Sequence, residues 1–137
     1  QETAESYKSI ATKYQKDYEI IIEPHINYCG DENAIRELMT ALLDNAFKYS
    51  IVHGAIRVEL KSIHHGICFQ VDNTIDPKQA EDMTRFTDRF YRSQTVNKVK
   101  GFGIGLSVAQ AVCESHKGYL KIKRIKEDGI RISAVFR

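Results

Sequence analysis

Apolar positions along the chain sort it into helices and strands. Ile35, Leu38, Met39, Leu42, Leu43, Ala46 and Phe47 recur at i, i+3, i+4 and i+7, the mark of a helix with one buried face. Asp31 stands where a cap is wanted, so this helix is predicted over 31–49. Tyr7, Ile10, Ala11 and Tyr14 give a shorter helical pattern over 2–15. Period-two alternation predicts strands at 55–63 (Ile56, Val58, Leu60) and 67–71 (Ile67, Phe69, Val71), joined through His64-His65-Gly66. Further strands are predicted at 17–23, ended by Pro24, and at 26–29. Strands at 119–125 and 130–136 form a second hairpin through Glu127-Asp128-Gly129. Asp76-Pro77 opens a short helix. Another starts at Gly103, carries Ile104, Val108, Ala109 and Val112, and stops at Gly118. The pattern vanishes over 92–100, which reads as a mobile loop. Strands in one mixed, mostly antiparallel sheet with helices over one face make an α+β two-layer sandwich.

Composition narrows the class. A chain of 137 residues suits a single domain over 1–137. Its 42% hydrophobic and 28% charged residues are ordinary for a globular protein, and a net charge of +2 implies no general attraction to nucleic acid. Cys29, Cys68 and Cys113 are odd in number and widely spaced in apolar surroundings, which fits core thiols in a reducing cytoplasm. No apolar run approaches the roughly 20 residues of a membrane span. The opening at Gln1, in mid-pattern, suggests a piece of a longer protein with its membrane anchor elsewhere.

Two segments carry chemistry. Gly101-Phe102-Gly103-Ile104-Gly105-Leu106 places three alternating glycines at a helix N-terminus, where free N–H groups and the dipole suit a phosphate chain. The spacing is neither GxxxxGK[ST] nor GxGxxG, and the segment follows a loop rather than a strand. In Leu42-Leu43-Asp44-Asn45-Ala46-Phe47-Lys48-Tyr49-Ser50, an asparagine sits in mid-helix despite its poor propensity. At about 100° per residue, Glu37, Ala41, Asp44, Asn45 and Lys48 gather on the polar side, with Asn45 at its rim. A carboxamide oxygen suits Mg²⁺, and Lys48, one turn on, can reach a phosphate. A solvated asparagine beside an exposed lysine, or a glycine hinge, would have the same composition.

Together these segments resemble the histidine kinase, gyrase, heat-shock chaperone and MutL superfamily of ATPases, and most closely the sensor histidine kinases. Leu42 to Ser50 resembles that family's N box, Gly101 to Leu106 its second glycine box, and Asp88-Arg89-Phe90-Tyr91-Arg92-Ser93 its F box. The resemblance implies a Bergerat-type ATP-binding fold with ATP between the N-box helix and a lid. Asn45 would then hold Mg²⁺, with Lys48 and Tyr49 at the nucleotide. Gly101, Gly103, Ile104, Gly105 and Leu106 would wrap the phosphates, Phe90 and Tyr91 would anchor the lid, and Arg92 would help neutralise the triphosphate. It further implies a protein histidine kinase domain, with a phosphoacceptor-histidine dimerisation domain and a response regulator as partners. None of His25, His53, His64, His65 and His116 has the phosphoacceptor's context, so autophosphorylation needs a region outside this chain; residues 1–16 would be the end of the connection to it.

Two departures from the family stand out. Its first glycine box usually reads Asp-x-Gly-x-Gly; here the stretch is Val71-Asp72-Asn73-Thr74-Ile75-Asp76. Strand alternation offers Asn73 as the adenine contact, whereas direct reading offers Asp72. One turn before Asn45, where the family has Asn or Glu, stands Ala41. These changes leave open a degenerate nucleotide-binding or docking module without turnover. A serine kinase of the anti-sigma type is a further alternative, disfavoured by the F box.

Overall fold

The computed structural model describes residues 5, 8, 17–23, 30–51, 53–84 and 103–137. The expectations for 26–29, for Cys29, for the loop at 92–100 and for most of the helix at 2–15 lie outside them.

Why α1 (Glu32–Tyr49) begins where it does is visible in its cap. Asp31 takes an extended conformation and its Oδ1 accepts the Ala34 N–H at 3.1 Å. The predicted apolar set then buries Leu38, Leu42, Leu43 and Ala46 completely. Around this helix the chain runs β1 (Asp17–Ile22), α1, β2 (Ala55–Ile63), β3 (Gly66–Thr74), α2 (Pro77–Thr84), α3 (Gly103–Ser115), β4 (Tyr119–Ile125) and β5 (Gly129–Phe136).

The five strands lie in the order β1-β2-β3-β5-β4. β1 pairs parallel with β2, and the other pairings are antiparallel. Paired residues share a face, so register sorts the side chains. Ile56, Val58, Ile67, Phe69, Val71, Ile130, Ile132, Ala134, Phe136, Leu120 and Ile122 form one core with α1 and α3. The other face carries Arg57, Lys61, Asp72, Arg131, Lys121 and Lys123. The expected α+β sandwich is the observed one.

Two local features differ from expectation. β3 runs three residues beyond Val71, to Thr74, and is buried at seven of its nine positions because it is the central strand. At the end of α3 the left-handed residue is Lys117 (φ 60°), not Gly118. The Gly118 N–H bonds the Cys113 carbonyl at 2.8 Å and that of Lys117 bonds Glu114 at 3.1 Å, a Schellman closure. Gly118 is needed for space, since a Cβ there would collide with the Val135 carbonyl.

Candidate functional site

One helix wall organises the site. A cavity of about 590 Å³ is lined by Asn33, Arg36, Glu37, Thr40, Ala41, Asp44, Asn45, Lys48 and Tyr49 of α1, with Val108 of α3 opposite. Its size falls within the range of small-molecule sites. The polar stripe read from the sequence therefore lines an open cleft, with Glu37, Asp44 and Lys48 exposed and Asn45 buried. Asn45 is only 5% exposed, at the border between that stripe and the core. Lys48 lies one turn on, its Nζ 5.4 Å from the centre of the Tyr49 ring. Arg36 is drawn to Glu32 at 3.0 Å. The wall thus sets Glu37 and Asp44 beside Arg36 and Lys48, so it has no net basic excess to receive a polyphosphate by itself.

Ala41 lies in the same wall, one turn before Asn45. Leu106, from the glycine-rich segment, is completely buried in the core. It fixes α3 against α1, the two helices being in direct contact. Gly103 begins α3 and Ile104 and Gly105 lie in its first turn. Phe90, Tyr91, Arg92 and Gly101 lie outside the described residues.

The two candidates at the end of β3 part company. Asp72 pairs across the sheet with Arg57 and Arg131, on the face away from the helices. The Arg131 guanidinium meets its carboxylate with two bonds, at 2.9 and 3.0 Å. This fork holds the Arg131 pKa above its ordinary value. Asn73 pairs with Ile56 and Ile130 on the helix-covered face and is 3% exposed. Its Nδ2 donates to the Thr74 carbonyl at 2.9 Å, and its buried Oδ1 has no hydrogen-bond partner among the described residues.

Thr74, which the sequence did not single out, is held from several sides. Its carbonyl also accepts the Ile51 N–H at 3.3 Å, just past the end of α1. Its Oγ1 accepts the Ala55 N–H at 3.1 Å. Gly54 makes this possible, since a Cβ there would run into Thr74 Oγ1 and lie 2.8 Å from the Ile51 carbonyl. Only strand pairing brings these residues together, and no local sequence signal marks them. Arg131 was missed for the same reason.

Three further titratable groups, Cys68, Cys113 and His116, are bound into the fold. Cys68 and Cys113 are free and buried, and burial pushes the Cys113 thiol up to about 12. His116 bridges three segments: its Nε2 accepts the Asp31 N–H at 3.2 Å, its Nδ1 lies 2.8 Å from the Val112 carbonyl, and its own carbonyl accepts the Arg137 N–H at 3.0 Å. Among the described residues, no group of three or more His, Cys, Asp or Glu side chains gathers to hold a metal ion. No described helix is long and apolar enough to cross a membrane.

Residues 30–137 match the family described as histidine kinase-, DNA gyrase B- and HSP90-like ATPases. Among curated proteins, the chain is 30% identical over 128 residues to the sensor protein DltS of Streptococcus agalactiae, covering 93% of this chain and 32% of that one. The heme sensor protein HssS of Staphylococcus aureus is 29% identical over 102 residues, 74% of this chain and 22% of its own. The chain thus spans about a third or less of these relatives. Among solved structures, the catalytic domain of histidine kinase ThkA superposes with a TM-score of 0.81 at 17% identity, over 98% of this chain and 88% of that one. The mycobacterial sensor histidine kinase MprB gives a TM-score of 0.69 at 23% identity, over 98% and 93%. The chain belongs to the family of histidine kinase-, DNA gyrase B- and HSP90-like ATPases, as an ATP-binding catalytic domain of the sensor histidine kinase type.

Proposed function

We propose that this chain binds Mg-ATP along α1 and presents the γ-phosphate to a histidine on a dimerisation domain of a longer, membrane-anchored parent. From there, phosphate passes to an aspartate of a response regulator. The observation that carries this reading is the convergence of Asn45, Lys48 and Tyr49, with Glu37, Ala41 and Asp44, on one cavity wall. Opposite them stands α3, the helix that opens with the glycine-rich segment.

The residues fit a magnesium ion held jointly with nucleotide. Asn45 offers a hard oxygen from a buried position, and Mg²⁺ favours one or two protein ligands with phosphates and water completing its shell. Glu37 and Asp44 would repel a bare polyphosphate and are compatible with one whose charge is offset by a divalent cation. When bound, Mg²⁺ supplies charge neutralisation at the phosphate oxygens. Lys48 binds a phosphate, Tyr49 packs at the nucleotide, and the backbone at Gly101, Gly103, Ile104 and Gly105 wraps the phosphates. Leu106 anchors that helix from the core. Phe90 and Tyr91 hold the lid, and Arg92 neutralises the triphosphate. Asn73, rather than Asp72, meets the adenine. The chemistry rests on positioning and charge, with no covalent intermediate on this chain.

Calorimetric titration of the chain with a non-hydrolysable ATP analogue tests the proposal. Saturable one-to-one binding that strengthens with Mg²⁺ is expected. Asn45→Ala removes the Mg²⁺ dependence, and Gly103→Val blocks the backbone's approach to phosphate; both keep the circular dichroism of the native chain. No binding at millimolar nucleotide, or full binding by both variants, overturns it.

A further inference from the structure

We propose that the β4 edge of the sheet is a docking surface for an anionic lipid bilayer, which it meets with a line of lysines. This surface is separate from the nucleotide cavity, and none of its residues lines that cavity.

Five cations fall within ten residues: Lys117, Lys121, Lys123, Arg124 and Lys126, all of them exposed. β4 is an outermost strand of the five, so the line runs along an edge of the sheet. Four cations elsewhere have acids beside them: Arg36 meets Glu32, Arg57 meets Glu19, Lys61 meets Glu59 and Arg131 meets Asp72. The four edge lysines have no ion-pair partner among the described residues. Two acids, Glu127 and Asp128, follow Lys126 in the turn to β5. The nearer offers its backbone rather than its charge, the Glu127 carbonyl accepting from Arg124 at 3.2 Å.

This charge is kept against the interest of the fold. Lys123 stands directly opposite Arg131, a register of like charges that disfavours strand pairing. Lys117 and Lys126, just beyond the two ends of β4, take φ of 60° and 55°, a left-handed conformation in which glycine is less strained. Lysines that only protect an edge from pairing with other strands would account for Lys121 and Lys123. They would not account for lysine at 117 and 126, outside the strand. Strain retained at such positions points to a use for the side chain.

The kind of cation selects the partner. Lysine is a compact point charge and is depleted where proteins meet proteins, whereas arginine, with its planar fork, is enriched there. Anionic headgroups present charge without fixed geometry, which point charges match, and basic clusters of this size bind such lipids. Tyr119, 48% exposed and on the same face as Lys121 and Lys123, adds an apolar ring with a polar tip suited to the headgroup level. In a membrane-anchored parent a weak contact suffices, because the tether supplies local concentration.

Co-sedimentation with vesicles tests the proposal, using equal phosphatidylglycerol and phosphatidylcholine against phosphatidylcholine alone at low ionic strength. Binding to the anionic vesicles only, released by salt, is expected. Lys121→Gln with Lys123→Gln lowers partitioning by about 25-fold, from about 5-fold for each lysine. Lys117→Gly with Lys126→Gly lowers it similarly, while the melting temperature holds or rises as strain is relieved. Arg57→Gln with Lys61→Gln removes equal charge from β2 and leaves partitioning nearly unchanged. ATP affinity stays the same in all three. Failure to bind the anionic vesicles, equal binding to both kinds, or a loss from the β2 pair as large as from the edge pairs overturns the proposal. So does a chain that ignores the vesicles and binds soluble polyglutamate through these lysines, which would assign the edge to an acidic protein. Each of these outcomes leaves the nucleotide-binding reading standing.

Discussion

Asp72 and Asn73 are neighbours in sequence and opposites in structure. Asp72 looks out from the open face of β3 into a bidentate pair with Arg131. Asn73 looks in toward the helices, bonded to the Thr74 carbonyl through Nδ2 and with Oδ1 unpartnered among the described residues. Both are buried and polar, yet among the described residues one is fully paired and the other keeps an unpartnered Oδ1. In a strand, one step in sequence exchanges the two faces, so the more charged residue need not be the functional one. What marks the candidate is a buried atom without a partner among the described residues.

That contrast predicts separable effects. The largest belongs to the covered side: Asn45→Ala should weaken Mg-dependent nucleotide binding by about 100-fold, on the scale of one buried polar interaction. Calorimetric titration measures it, with thermal melting as the check that the fold is kept.

On the open face the effect should appear in stability alone. The Asp72 side chain is 11% exposed and that of Arg131 is 36% exposed, so the pair lies between surface and core. Asp72→Ala is expected to cost about 1–2 kcal/mol, between the values for exposed and buried pairs. In a chain of this size, that lowers the melting temperature by roughly 3–8 °C. ATP affinity should stay within twofold. Replacing both partners, as in Asp72→Leu with Arg131→Met, should recover much of the loss, because no uncompensated charge remains. A double-mutant cycle reads this directly.

The smallest effect lies at the β1 edge. Glu23 accepts the Ser62 N–H at 2.6 Å and the Ser62 hydroxyl at 2.8 Å, and these bonds hold its carboxyl below the ordinary value of 4.5. A lowered folded pKa stabilises above the unfolded value and is lost as the pH falls through the folded one. Glu23→Gln should therefore flatten part of the acid limb of a stability–pH profile below about pH 4.5 and change little at pH 7.

Much of this architecture was legible in the sequence. The α1 pattern, its Asp31 cap and both hairpins follow from periodicity and turn chemistry, which act over a few residues. The polar stripe of α1 was legible for the same reason, and it became the cavity wall. Information that depends on distant pairing was not legible. The parallel β1–β2 pairing, the length of β3 and the Asp72–Arg131 bond come from register between segments far apart in sequence. The end of β3 was read short because Asp72-Asn73-Thr74 is polar, although this central strand is flanked on both edges and Asp72 and Asn73 are buried within it. The stop of α3 was assigned to Gly118 by propensity, whereas Lys117 takes the strained conformation and Gly118 yields space to the Val135 carbonyl. Thr74 had no signal at all, since its role is carried by its backbone oxygen.

One spectrum tests the contrast between the two faces most directly. In nitrogen–proton correlation spectra during titration with Mg-bound ATP analogue, the side-chain amide resonances of Asn73 and Asn45 should shift and saturate together. The Arg131 Nε–H resonance, tied to Asp72, should stay in place. Saturating shifts at Arg131 with none at Asn73 would contradict the account and move the base to the other face of β3.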